Sequence, residues 1–205
     1  MPNTVFGKVC YNHPMNPPKK IKNSLRRLRE YLTPTEIDKL ISAAKQTGRH
    51  GTRDATMILL AYRHGLRVSE LVSLRWSQID LKEGLIYVLR RKNGLPTQHP
   101  LFGPELRALR QLKRDYPDTD YVFISERKAP LTTDTFRKLI TRAGKIADLN
   151  LSVHPHMLRH STGFKLANDG HDTRSIQHYL GHKNIQNTVR YTEITAARFK
   201  EFWQD

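Results

Sequence analysis

Three stretches in the second half of the chain carry side chains suited to one reaction. They are His156-Met157-Leu158-Arg159-His160, then Leu180-Gly181-His182, then Tyr191. A lone tyrosine says little. A tyrosine downstream of ordered arginine and imidazole groups, in a strongly basic chain, suggests a nucleophile aimed at a phosphodiester. The phenol oxygen would displace an alkoxide from phosphorus, and the same step in reverse would reseal the strand with neither water nor metal. An unperturbed phenol has a pKa of about 10, so Tyr191 must shed its proton as it attacks. Clustered cations are expected to lower that value and to stabilise the charge building on the phosphorane.

Arg67 and Arg159 are the candidates to hold the phosphate. Arg67 follows Gly65-Leu66 and precedes Ser69-Glu70-Leu71. Each guanidinium is a planar fork of donors, so two brought together would grip the nonbridging oxygens of one phosphate. Taken alone, Arg67 reads as an ordinary surface arginine. On a helix over 155–169, positions 156, 159, 160 and 163 share a face. His156 and Arg159 then point together, Gly163 leaves room for a close approach, and Met157, Phe164 and Ala167 form the neighbouring apolar face. In isolation His156 reads as a half-buried structural histidine, and His160 as a supporting residue. The departing alkoxide needs a proton donor. Lys92, at a hairpin tip with Arg90, Arg91 and Asn93, can serve if neighbouring cations lower its pKa. Arg91 competes from one position away, and contact with backbone phosphates is the simpler role for these cations. Tyr179 is an internal control, because its spacing from Ile176 and Leu180 makes it a core residue. His154, His156, His178 and His182 do not read as a metal site: no carboxylate stands at ligand spacing, and the surrounding Lys and Arg repel a cation.

The bulk composition agrees with a polyanion partner. The 205 residues include 35 Lys and Arg against 19 Asp and Glu, a net charge of +16. Nucleic acid is the first partner this implies and an anionic membrane surface the second, but no basic amphipathic helix supports the membrane. No apolar run approaches the roughly 18 residues of a membrane span, and no apolar stretch near the N-terminus resembles a secretory signal. The single Cys10 excludes an intramolecular disulfide and a multi-cysteine zinc site. A soluble, cytoplasmic (nucleoid-associated) protein with no cofactor is expected.

The elements that must position these residues are legible from caps and periodicity. Thr33-Pro34-Thr35-Glu36 has capping-box spacing with proline at the first helical position, and Ile37, Leu40, Ile41 and Ala44 follow at helical spacing. A second helix is predicted over 51–64, stopped by Gly65, and a short one from Ser69 to about Trp76. Leu85 to Leu89 and Thr97 to Leu101 read as strands joined by a turn at Asn93-Gly94. Further helices are predicted at 103–115, 132–148, 155–169, 172–180 and 184–191, with Val122-Phe123-Ile124 extended. The sum is α+β and mostly α-helical, with a small antiparallel sheet. Residues 1–30 form a basic N-terminal arm; Lys19, Lys20, Arg26 and Arg27 would lie on a phosphate backbone, or the arm is simply a solvated tail.

Together these residues resemble the tyrosine recombinases of the phage-integrase type. The matching motifs are Gly65-Leu66-Arg67-Val68-Ser69-Glu70-Leu71, the hairpin Lys92, His156-x-x-Arg159-His160, Leu180-Gly181-His182 and Tyr191-Thr192. Lys92 lies eight residues before Pro100, the separation the family's hairpin lysine keeps, which favours it over Arg91. Thr97-Gln98-His99-Pro100-Leu101, the run His154 to Ser161, and Arg198-Phe199 are similar to the short invertases of fimbrial phase switches.

The resemblance implies a catalytic domain over 31–205, including a tail at about 192–205, with no separate core-binding domain. It implies Tyr191 as nucleophile forming a 3′-phosphotyrosyl bond, with Arg67, Arg159 and His182 stabilising the transition state. Lys92 would be the general acid, His156 would assist proton transfer, and Glu70 and His160 would support the site. Partners would be double-stranded DNA, further protomers in a tetrameric synapse of two dimers, and DNA-bending accessory proteins. Phe199, Phe202 and Trp203 in the tail would dock on a neighbouring protomer. The outcome would be inversion or excision between short repeats. Strand relaxation of the type IB topoisomerase kind and non-cutting DNA-binding regulation are the alternatives.

Overall fold

The computed structural model describes residues 29–90 and 94–193. The expectations for Lys19, Lys20, Arg26, Arg27, Arg91, Lys92 and the aromatic tail therefore lie outside the described residues.

Helix α1 (Pro34–Gln46) begins with the expected reciprocal cap. Glu36 N–H donates to Thr33 Oγ1 at 3.3 Å, and Thr33 N–H donates to Glu36 Oε2 at 2.8 Å. Two amides that a helix start would orphan are thus satisfied. Its apolar stripe of Ile37, Leu40 and Ala44 packs on α2 (Gly51–Arg63), whose Met57, Ile58 and Leu60 lie at the centre of the core. Gly65 ends the run with φ +56°, and a Cβ there would collide with the Leu180 side chain, so only glycine fits. Helix α3 (Val68–Val72) follows. It stops short of the predicted Trp76, because Arg75 bridges to Tyr121 and Trp76 N–H donates to Asp120 O; Trp76–Gln78 is a separate 3-10 turn.

The sheet has three antiparallel strands in the order β1 (Ile79–Asp80), β2 (Leu85–Val88), β3 (Thr97–Pro100). The two-residue β1 carries no readable period. Pairing of β2 with β3 starts at Val88 and Thr97, so the connection spans 89–96 and is no two-residue turn. Pro96 has no N–H to give the ladder. Gly94 serves a close approach instead: a Cβ would lie 2.7 Å from Arg90 Cβ and 2.9 Å from Gly181 O.

Helices α4 (Gly103–Asp115), α5 (Thr133–Ile146), α6 (Pro155–Asn168), α7 (Thr173–Leu180) and α8 (Gln186–Thr192) complete the domain. They match the predicted spans within a residue or two at most ends. Residues 122–124 have bridges only at their margins, Arg75 to Tyr121 and Ile124 to Pro130. The main core joins α1, α2, α5 and α6 through Leu40, Leu60, Phe136, Ile140 and Leu158. A smaller cluster of Ala167, Ile176, Leu180 and Tyr191 ties α6, α7 and α8 together. Among the described residues no helix is long and apolar enough to cross a membrane.

Candidate active site

The site is built around the turn that follows α2. Arg67 is clamped on Glu70 twice: its amide donates to Oε2 at 2.9 Å and its guanidinium to Oε1 at 2.8 Å. Arg90 donates to the same carboxylate at 3.1 Å. Burial alone would push Glu70 up, but the Arg67 amide and the two guanidiniums outweigh it and hold the carboxyl below its usual range.

Arg90 departs from the reading that put it on DNA. Its side chain is 0% exposed. Besides Glu70 it donates to His64 O at 3.2 Å, Gly65 O at 3.3 Å and Tyr179 O at 2.7 Å. These carbonyls belong to the buried ends of α2 and α7, where helices leave acceptors unpaired. Arg90 satisfies them and holds the base of the hairpin against the Arg67 turn.

Arg159, on α6, is buried and donates to Gly65 O and, at 2.7 Å, to Leu180 O. Two arginines therefore converge on one carbonyl. Burial and the charges of Arg90 and Arg67 bring Arg159 down to about 9, so it remains a cation at neutral pH. His182 follows the α7 stop at Gly181, whose φ is +64°. Gln177 Nε2 donates to His182 O at 2.9 Å, and His182 Nδ1 lies 2.8 Å from Thr188 Oγ1. Burial, with Arg159 and Arg67 nearby, pushes His182 down to about 3 and keeps the ring neutral.

Tyr191 is 1% exposed. Its ring lies flat on Gly163, where a Cβ would meet Cδ2 and Cε2 at 2.6 Å. Phe164 presents an edge at 5.2 Å between centroids, and the His182 ring lies near-parallel at 6.4 Å. The room left by Gly163 is occupied by the nucleophile candidate itself. The phenol oxygen is 2.9 Å from His160 Nδ1, and the Arg190 guanidinium stands 5.2 Å from the ring centre. His160 thus touches the phenol directly, closer than its expected supporting place. His156 is exposed, with its ring 6.4 Å from that of His160.

The expected lowering of the Tyr191 pKa is reversed. Burial raises it, and the opposing charges of Arg190 and Arg159 do not compensate. His160 is pushed down to about 3 by burial and by Arg190. In this arrangement the proton stays on the phenol. Tyr179 behaves as the core residue expected: its hydroxyl donates to Arg63 O at 2.8 Å, it stacks on His99, and burial drives it up to about 12. Among the described residues no group of three or more His, Cys, Asp or Glu is placed to hold a metal. Sequence reasoning missed Arg190, Thr188 and Gln177. Their positions beside Tyr191 and His182 on short helices were visible, but not their contacts.

Comparison with known proteins decides the family. The model of the phage integrase family matches residues 30–198. The chain belongs to that family. It is a tyrosine recombinase, a site-specific DNA recombination enzyme whose partner is DNA. The recombinase is 47% identical over 180 residues to the type 1 fimbriae regulatory protein FimB of Escherichia coli (strain K12), covering 85% of this chain and 90% of that protein. It superposes on the XerA recombinase with a TM-score of 0.73 and 31% identity, over 84% of this chain and 63% of that one. A lambda integrase dimer bound to a COC′ core site gives 0.65 and 25%, over 85% of this chain and 50% of that one. The recombinase thus spans between half and two thirds of the length of these two solved chains.

Proposed function

We propose that Tyr191 attacks a DNA phosphate and forms a 3′-phosphotyrosyl bond while the bond from phosphorus to the 5′ oxygen breaks. Arg67 and Arg159 hold the nonbridging oxygens, His182 adds a hydrogen bond, and Lys92 protonates the leaving 5′ oxygen. His156 assists proton transfer. The 5′-hydroxyl of a partner strand then attacks the phosphotyrosine, so bond energy is kept and no external energy source is needed. The observation that carries this reading is that Arg67, Arg159, His182 and Tyr191, from four separate elements, lie close enough for their charges and rings to act on one another.

The biological outcome is inversion or excision of a segment between short repeats, in the cytoplasm, by a synapse of two dimers helped by DNA-bending proteins. The likeness to FimB supports a switch of this kind. In this arrangement the domain of residues 31–205 does the chemistry, and the basic arm of residues 1–30 lies along the DNA backbone.

Protein–DNA adducts trapped with detergent on host DNA, then digested and examined by mass spectrometry, test the assignment. The modified peptide should contain Tyr191 linked to a 3′-phosphate, and Tyr191→Phe should yield none. An adduct on another residue, or normal adduct levels in the variant, would overturn it. Relaxation of supercoils without exchange between sites would instead favour topoisomerase action.

A further inference from the structure

We propose that Thr188 is a positioning residue that sets the tautomer of His182. Its hydroxyl donates to His182 Nδ1, which leaves the single ring proton on Nε2, the nitrogen then free to donate to a phosphate oxygen. The inference rests on the reading of His182 as a group that steadies the reacting phosphate.

Thr188 lies in the first turn of α8, three residues before Tyr191, and is 0% exposed. Its Oγ1 is 2.8 Å from His182 Nδ1. Among the described residues the hydroxyl has no other hydrogen-bond partner. A hydroxyl has one proton to give. If Nδ1 were protonated and donated to Oγ1, that hydroxyl proton would be buried with no acceptor, an arrangement folded proteins avoid. The opposite direction satisfies both groups. The choice matters because the ring is neutral, held at about 3 by burial and the arginines around it, so it has one proton to place. Which nitrogen carries that proton is set by the hydrogen bond the other one makes.

The surrounding structure makes this a fixed geometry. Arg174 donates to Gln177 Oε1 at 3.1 Å, and Gln177 in turn holds the His182 carbonyl. Thr173 Oγ1 and Thr192 Oγ1 lie 2.9 Å apart and join α7 to α8. The backbone of His182 is therefore set from α7, and its ring from the helix that carries the nucleophile.

Thr188→Val keeps the side-chain shape and removes the hydroxyl, whereas Thr188→Ser keeps the hydroxyl. The readouts are the single-turnover rate of covalent adduct formation at saturating DNA, the DNA Kd, and the 15N spectrum of the His182 ring. Thr188→Val should slow adduct formation about five- to tenfold, the effect of one lost hydrogen bond, with Kd unchanged and Thr188→Ser within about twofold of wild type. The spectrum should show the Nε2–H tautomer in the wild type and a mixture in Thr188→Val. A wild-type ring protonated on Nδ1, or a Thr188→Val protein with wild-type rate and spectrum, overturns the proposal. His182→Ala separates the two readings: if it cleaves normally, His182 does not act on the phosphate, while the tautomer spectrum still decides the role of Thr188.

Discussion

Tyr191 and His182 are buried and His160 is half-buried against the phenol; burial holds the proton on the phenol, and burial with the arginines nearby keeps both imidazoles neutral. His99, also buried, is likewise pushed down to about 3. These depressed values have a consequence for stability. Above the unfolded histidine value of about 6.5 neither state binds the proton; below it the unfolded chain takes up protons that the folded one refuses. Stability should therefore fall as pH drops from about 6.5 toward about 3. For His99 and His182 each, the loss approaches about 1.4 kcal/mol per pH unit, or roughly 3–6 °C in Tm for a chain of this size. The lowered carboxyls of Glu36, Glu70 and Glu105 act in a separate window, below the ordinary carboxyl range. Thermal melts from pH 7 to 5 check this, and a flat Tm would contradict the neutral buried histidines. That Arg67, Arg159, His182 and Tyr191 would be gathered together was legible in motif and order, but the direction of the Tyr191 shift was not. That direction depends on how deeply the ring sits, which Gly163 and Phe164 decide from another helix.

Helix α6 carries His160 and Gly163 against Tyr191 on α8, so its packing sets the position of the proposed nucleophile. Alanine at 163 would favour the helix by roughly 1 kcal/mol yet would press on the Tyr191 ring at 2.6 Å. Gly163→Ala should fold, with a Tm close to wild type, and should cut covalent adduct formation at least about tenfold through a displaced ring. Wild-type cleavage in that variant would mean the ring is free to move aside at no cost. At this scale the helices were legible because their signals are local: the Thr33–Glu36 cap, Pro34 and Pro155 at first positions, and the stops at Gly65 and Gly181. The sheet was less so. Two residues of β1 are too few to show alternation, and Asn93-Gly94 suggested a tight turn although Gly94 is fitted to Arg90 and Gly181.

For the whole molecule, a charge of +16 implies binding dominated by phosphate contacts. If about 6–10 phosphates are engaged, affinity should fall roughly 10³–10⁵-fold from 50 to 200 mM salt, a dependence that filter binding or fluorescence anisotropy measures directly. Arg90 should stand apart from this field. Its burial was illegible because it depends on carbonyls contributed by α2 and α7, far from it in the chain. Arg90→Leu is expected to cost about 3 kcal/mol in stability, since it strips a charge partner from buried Glu70, and to leave the salt slope of DNA binding unchanged. A slope lower by about one would return Arg90 to the phosphate backbone.

The most direct test of recombination itself is long-read sequencing of host DNA from cells expressing either the wild-type protein or Tyr191→Phe. Segments rearranged between short repeats should occur with the wild type and be absent with the variant. Equal rearrangement in both, or none with well-expressed wild type, would contradict strand exchange through Tyr191.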